Sequence, residues 1–284
     1  MTNLVVALQA EARPIIEAFD LVQDRPAGMF PVYCNGGLSL VVSGIGRACC
    51  AAAVIHLFHR TAQRADQAWL NIGIAGHQQV PIGSVLLASR ITERASGRCW
   101  YPPYVLDVGL LRSPLVTVDE PERCYPQCCA YDMEASSFYQ IASRCSTGEL
   151  VQSLKIISDN PGSNLDLTAD QISQLLADQM SAIESAVGQL SDLSRVLDTV
   201  RTPPDLSSLY LEQWHFTVAQ RHQLAALLTR LKARSVQLPA VPGTSEYQDA
   251  SGVLTWLEGK LLAIPVNLSV PQGEDAADRV EQPS

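Results

Sequence analysis

Two carboxylates and a thioether stand together in Tyr131-Asp132-Met133-Glu134-Ala135-Ser136, and a further carboxylate follows in Lys155-Ile156-Ile157-Ser158-Asp159-Asn160. Paired carboxylates can divide the general-acid and general-base roles when their surroundings push their proton affinities apart. The first run opens an apolar-periodic segment (Ala135, Phe138, Tyr139, Ala142), which predicts a helix from Met133 to Arg144 with Asp132 and Glu134 at its N-terminus. Anions are favoured there, so Glu134 can be a helix cap as readily as a ligand-binding group. The second run ends the apolar strand Val151 to Ile157 just before Pro161-Gly162. Ser158 and Asp159 then fall at the strand's carboxyl end, where open α/β sheets bind ligands, although Asp159 could equally close the strand in an Asx-turn. A third acidic residue, Glu11, follows the apolar strand Leu4 to Leu8 in the same manner.

The elements that must hold these groups alternate between strand and helix. Gln9-Ala10-Glu11-Ala12-Arg13-Pro14 leads the first strand into a helix through Ile15, Ile16 and Phe19. Val32 to Cys34 and Leu38 to Val42 form a predicted hairpin across Asn35-Gly36-Gly37, residues that accept positive φ. Ser43-Gly44-Ile45-Gly46 opens a helix from Arg47 to Arg60, and such a glycine-bounded turn suits a bound anion or hydroxyl. Ala68 to Ile74, ending in Gly73-Ile74-Ala75-Gly76, and Gly83 to Ser89 read as buried strands, and Leu115 to Val118 as another. Residues 90 to 107, with Trp100, Tyr101 and Tyr104, read as a loop over the site or at an interface. The pattern predicts an α/β fold with a buried sheet flanked by helices.

Thr168 to Leu190 reads as one amphipathic helix closing the first domain, residues 1–192. Arg201-Thr202-Pro203-Pro204 reads as a linker, and helices over Leu206 to Leu231 and Val253 to Leu262 make a C-terminal extension, residues 193–264. A segment this short is marginal as an autonomous core, so the extension is expected to pack on the catalytic domain or on a partner subunit. Residues 265–284 are acidic and proline-rich, a composition expected to be disordered.

Composition excludes several classes. The net charge of -9 and the lack of any Lys/Arg cluster would repel a phosphate backbone, so nucleic acid is not an expected partner. No apolar run reaches the roughly 18 residues of a membrane span, and the first residues lack a signal-peptide pattern. A cytoplasmic location is the expectation. The eight cysteines include the adjacent pairs Cys49-Cys50 and Cys128-Cys129, with no Cys-x-x-Cys or Cys/His spacing suited to zinc. They are read as reduced thiols, and no metal or cofactor is expected.

Five stretches together resemble the purine nucleoside phosphorylase and uridine phosphorylase superfamily, most closely its 5′-methylthioadenosine/S-adenosylhomocysteine nucleosidase branch. They are Ala7-Leu8-Gln9-Ala10-Glu11, Ser43-Gly44-Ile45-Gly46, Asn71-Ile72-Gly73-Ile74-Ala75-Gly76, Asp132-Met133-Glu134-Ala135 and Ile157-Ser158-Asp159, in the family's order over about residues 3 to 190. The resemblance implies a phosphorylase/hydrolase-like mixed central sheet and cleavage of an N-ribosidic bond in a homodimer or higher homo-oligomer. It makes Asp159 the acid that protonates the leaving base and Glu11 the group that activates water. Met133 and Glu134 would hold the ribose. Ser43, Gly44, Gly46, Arg47 and Lys155 would position the nucleophile or an anion, and Gly73, Ala75, Gly76 and Ser158 would support the base. The family's aromatic over the base has no counterpart in Val116-Thr117-Val118-Asp119-Glu120-Pro121, and Ile74 and Asp132 replace a small hydroxyl residue and a glutamate. Phosphorolysis is the nearest alternative, disfavoured because the phosphorylases' arginines are missing. A nucleoside- or partner-binding module without turnover is the second.

Overall fold

The computed structural model describes residues 1–24, 28–61, 64–107, 109–163, 166–201, 206–234, 241–243 and 245–264. In chain order the first unit contains β1 (Thr2–Val6), α1 (Gln9–Ala18), β2 (Val22–Gln23), β3 (Val32–Asn35), β4 (Leu38–Val42) and α2 (Arg47–Arg60). Then come β5 (Ala68–His77), β6 (Val85–Glu93), β7 (Cys99–Trp100), β8 (Leu111–Thr117), β9 (Ala130–Asp132), α3 (Ala135–Cys145), β10 (Val151–Asp159), α4 (Ala169–Ala177) and α5 (Met180–Arg201). The strands pair in the order β10-β6-β8-β9-β5-β1-β4-β3-β2, with β7 on β6. A further pairing of β10 with β5 closes β5, β10, β6, β8 and β9 into a ring. The sheet is mixed: β5 runs parallel to β1 and β10 and antiparallel to β9.

Alternation along each strand feeds two cores, one on each face. Leu4 and Val6 of β1 and Leu154 and Ile156 of β10 pack with Ile15 of α1, Leu176 of α4 and Ile183 of α5. Val5 of β1 and Val151 and Ile157 of β10 face the other way, onto Val54 and Leu57 of α2 and Phe138 and Ala142 of α3. Pro14, inside α1, cannot donate to the carbonyl of Ala10. That carbonyl is taken instead by the Ser173 hydroxyl of α4 at 2.7 Å, which ties the two helices together.

Several boundaries differ from the sequence expectation. The single helix expected over Thr168 to Leu190 is two, α4 and α5, because the chain turns at Asp178-Gln179. There the Asp178 N–H reaches back to Gln174 and Leu176, and the Gln179 carbonyl accepts from Ala182 and Ile183, the first bonds of the new helix. The apolar spacing runs through this turn, so periodicity could not reveal it. Thr168 does start α4, its hydroxyl accepting from the Gln171 N–H at 3.3 Å. The region expected as a loop over residues 90–107 is partly strand, since β6 continues to Glu93 and pairs with β7. No disulfide joins any of the eight cysteines. Among the described residues no helix is long and apolar enough to cross a membrane.

The chain divides after Asp198, a few residues beyond the expected boundary at 192. The second unit contains α6 (Leu206–Gln213), α7 (Val218–Arg234) and α8 (Ala250–Ala263). The expected linker from Arg201 to Pro204 and the acidic tail, residues 265–284, lie almost entirely outside the described residues. Where the sequence left the extension's apolar residues with little to pack on, the structure gives them a core of their own. Tyr210, Phe216, Leu228, Leu231, Val253 and Leu257 are all buried in it. The Trp214 indole N–H donates to the Tyr247 carbonyl at 2.8 Å, and Asp249 caps α8 by accepting from the Gly252 N–H. Leu228→Ala should therefore destabilise this unit by about 2–5 kcal/mol, the usual range for a fully buried leucine. Thermal or urea unfolding followed by circular dichroism checks it, and a loss within experimental scatter would contradict a packed core there.

Candidate active site

At the carboxyl ends of β1, β5 and β10 a cavity of about 290 Å³ opens between the strand ends and the loop that follows β8. Its wall includes Glu11, Met133, Glu134, Ser158 and Asp159, which brings together all the acidic residues expected to do chemistry. Each is held by a different local device.

Glu11 lies in the first turn of α1 and is 2% exposed. One carboxylate oxygen accepts from the Ala7 and Leu8 N–H groups, both at 2.9 Å, so it caps its own helix. The other accepts from the Ile74 N–H at 3.0 Å, on β5. Such an approach requires glycine at position 73, where a Cβ would lie 2.9 Å from Glu11 Oε1. Burial pushes the Glu11 carboxyl upward, while the three backbone donors and the Lys155 ammonium pull it down. The net upward shift moves a candidate base toward neutral pH.

Glu134 is the N-cap residue of α3, yet its side chain makes no cap. Its Oε1 instead accepts from the Gly46 N–H at 2.7 Å, across from the glycine turn that starts α2. That turn, with Gly44 and Gly46 at φ 80° and 97°, suits an anion or a hydroxyl, and its Gly46 N–H is taken by the Glu134 carboxylate. The cap of α3 is made by Asp132, whose Oδ2 accepts from the Ala135 N–H at 2.8 Å while Oδ1 accepts from the Thr117 hydroxyl. Burial first, and the Asp132 charge second, raise the Glu134 carboxyl to about 7 against the opposing pull of Lys155 and the Gly46 amide.

Lys155 is 1% exposed and pairs with Asp132 at 2.9 Å. Burial alone would favour its neutral form, but Asp132, Glu134 and Glu11 together outweigh it and hold the ammonium charged. Lys155 is not among the residues that line the cavity; its ammonium lies near Asp132, Glu134 and Glu11, behind them. Arg47 is likewise drawn away, paired with Glu93 and with Asp119. Ser43 donates to backbone carbonyls, to Gly44 at 2.8 Å, and does not reach the wall.

At the other end of the cavity are Ala75, Gly76, Ser158 and Asp159. Asp159 closes β10, and its side chain accepts from two hydroxyls, Ser158 to Oδ1 and Tyr125 to Oδ2, in place of the Asx-turn considered above. A Cβ at position 76 would fall 2.3 Å from Asp159 Oδ2 and 2.5 Å from the Tyr125 ring, so glycine is needed there too.

Sequence reasoning missed Tyr125 and Arg123 and gave Tyr131 no role, and all three are on the wall. Residues 116–121 bring no aromatic here, but the two tyrosines do, and their rings meet edge to face at 5.8 Å. Arg94, above the Tyr131 ring at 5.4 Å and paired with Glu122, ties the loop over them. Tyr125 enters from four residues beyond the 116–121 segment, so spacing carries no signal for it. Among the described residues no His/Cys/Asp/Glu group is arranged to hold a metal ion.

No family model and no curated protein matches this chain. Solved structures do. The apo 5′-methylthioadenosine nucleosidase of Arabidopsis thaliana superposes with a TM-score of 0.54 at 19% identity, covering 68% of this chain and 95% of that one. The 5′-methylthioadenosine/S-adenosylhomocysteine nucleosidase of Colwellia psychrerythraea, in complex with adenine, gives 0.55 at 18% identity over 66% and 95%. A futalosine hydrolase mutant from Helicobacter pylori gives 0.52 at 16% identity over 66% and 98%. The likeness shows the fold: the chain has the α/β architecture of these nucleosidases.

The buried ion pair makes a direct prediction. Lys155→Met should destabilise the first unit by about 3–5 kcal/mol, because Asp132 is left as an uncompensated buried charge. Lys155→Met combined with Asp132→Asn should recover a large part of that loss in urea unfolding. Equal stability of the single and double variants would remove the pair from its structural role.

Proposed function

We propose that the chain hydrolyses the N-ribosidic bond of a nucleoside. The observation that carries the reading is that one cavity wall joins Glu11 and the Met133-Glu134 pair to Asp159. Breaking a C1′–N bond leaves positive charge on the sugar and negative charge on the departing base. A carboxylate that accepts the ribose hydroxyls, an acid at the base and a base for water are the three functions required, and Glu134, Asp159 and Glu11 supply one each. Met133 offers an apolar, polarizable surface to the sugar.

Water is the favoured nucleophile. The cations near the Glu11 end are occupied, Lys155 by Asp132, Arg13 by Asp170 and Arg47 by Glu93 and Asp119. A phosphate would need such charges free, preferably as bidentate arginines. The nucleosidase fold supports the same choice, and the adenine bound by the Colwellia psychrerythraea enzyme makes purine nucleosides, including 5′-methylthioadenosine and S-adenosylhomocysteine, the first substrates to try.

The decisive experiment incubates the protein with a panel of purine and pyrimidine nucleosides, with and without phosphate, and follows base release and sugar product by chromatography. Free ribose formed at the same rate without phosphate is the expected result. Ribose 1-phosphate would establish phosphorolysis, and no release from any nucleoside would leave a binding module. On an active nucleoside, Asp159→Asn should lower kcat about a hundredfold or more, since the amide keeps the shape without a transferable proton.

The pH profile tests Glu134 separately. Its carboxyl is raised to about 7, and only the ionised form can accept from both ribose hydroxyls, so kcat/KM should rise as pH increases through about 7. Glu134→Gln should abolish that limb and should harm ribonucleosides more than their 2′-deoxy counterparts. An unchanged limb in the variant would assign it to another group.

A further inference from the structure

Tyr125 is the most constrained residue near the cavity that the proposed chemistry leaves without a role. It is 1% exposed although it belongs to an irregular loop whose neighbours Cys124 and Pro126 are exposed. Its φ of 44° is in the left-handed region, which a bulky side chain rarely adopts unless the surroundings fix it. What fixes it is on both sides: the Tyr131 ring, and the face of β5 at Gly76, where a Cβ would come within 2.8 Å of the phenol oxygen. The hydroxyl so placed donates to Asp159 Oδ2. A tyrosine that only filled space would have no need of this backbone conformation or of a glycine cleared beneath its oxygen.

The two hydroxyls on Asp159 are not equivalent. Among the described residues the Tyr125 hydroxyl has a single acceptor, Asp159 Oδ2. The Ser158 hydroxyl has two within reach, Asp159 Oδ1 and the Ala75 carbonyl at 3.3 Å. Hydroxyl hydrogens rotate to suit, so Ser158 can release Oδ1 while Tyr125 cannot release Oδ2.

We infer that Tyr125 is a positioning residue for the acid step: it keeps Oδ2 of Asp159 a fixed acceptor, so that the proton given to the leaving base travels on Oδ1. The inference rests on the hydrolytic reading above. With Oδ1 protonated, the Ser158 hydroxyl turns to Ala75. The C1′–N bond then breaks with its electron pair going to the base, the Oδ1 proton forms a new N–H on that base, and water adds to C1′ as its own proton passes to Glu11. Asp159 is left ionised, Ser158 turns back to Oδ1, and both hydroxyls then support the carboxylate. Proton exchange with solvent returns Asp159 and Glu11 to their starting forms. Charged groups that face Tyr125 are Asp159 on β10 and Glu122 and Arg123 on its own loop, and burial with the Asp159 contact keeps the phenol protonated throughout.

Tyr125→Phe tests the inference because it keeps the ring and its packing and removes only the donor. With wild-type thermal stability as the control for folding, kcat should fall about tenfold or more while KM changes little, since general-acid help is what is weakened. Ser158→Ala should lower kcat less than Tyr125→Phe, because Ser158 is the hydroxyl that releases Oδ1. Carbon NMR of the Asp159 carboxyl gives a readout that needs no turnover, and its titration should move to higher pH in Tyr125→Phe. Wild-type kcat and an unmoved titration would reduce Tyr125 to packing, and a Tyr125→Ala variant more active than wild type would make it an obstruction; either result overturns the inference. Absence of base release by the wild type, with the NMR titration displaced as expected, would instead refute the hydrolytic reading and leave the Tyr125–Asp159 coupling standing.

Discussion

The Lys155–Asp132 pair is the interaction on which the rest of the site depends. It lies where β5, β9 and β10 meet the start of α3, and both side chains are removed from solvent. A buried pair of this kind is tolerable only when its remaining hydrogen-bonding capacity is used. Asp132 uses its own on the Thr117 hydroxyl and the Ala135 N–H, and Thr117 in turn accepts from the Ser136 N–H. One cation then stands beneath three carboxylates, Asp132, Glu134 and Glu11. Its charge is committed to Asp132 by contact and reaches the other two only through space, so burial dominates at Glu11 and Glu134 and raises both. That division gives a site with one carboxylate committed to the ammonium and two whose proton affinity is raised by burial.

Backbone close approach is the second constraint. Glu11 reaches across to β5 only because position 73 has no side chain, and Asp159 and Tyr125 meet beside Gly76 for the same reason. These two glycines belong to one strand, β5, and the groups they admit come from α1, β10 and the loop after β8. The strand serves as the plane on which acid and base are set. The polar ends of α2 and α3 contribute less as dipoles than through single N–H groups, Gly46 to Glu134 and Ala135 to Asp132.

The second unit follows a different logic. It is small, and its core draws on aromatic residues, Tyr210, Trp214 and Phe216, with Tyr210 beside Trp214 and Tyr247 beside Trp256. Large rings bury much area per residue, which is how a short helical segment can assemble a core without a sheet. Residues from widely separated positions contribute to it, and half-buried Val241 and Tyr247 in the connection before α8 pack against it. Counting apolar residues along each helix alone understates how much there is to pack.

The alternation of the main strands and helices, apart from the α4–α5 break and the short strands β2, β7 and β9, and the placement of Glu11, Glu134 and Asp159 at element ends were legible in the residues alone, because they follow from local periodicity and from the turn residues between segments. Sequence could not determine which carboxylate caps α3, since Asp132 and Glu134 are both within reach of the helix start and only the position of Gly46 and Lys155 decides between them. It could not reveal that Lys155 faces inward, because a lysine in an apolar strand has the same pattern whichever partner receives it. Nor could it find Tyr125: no periodicity governs an irregular loop, and the meaning of that residue depends on a glycine on β5 and an aspartate on β10, both far away along the chain. Local chemistry is written in the order of residues, whereas the commitment of each charge to a partner is made only when distant strands are brought side by side.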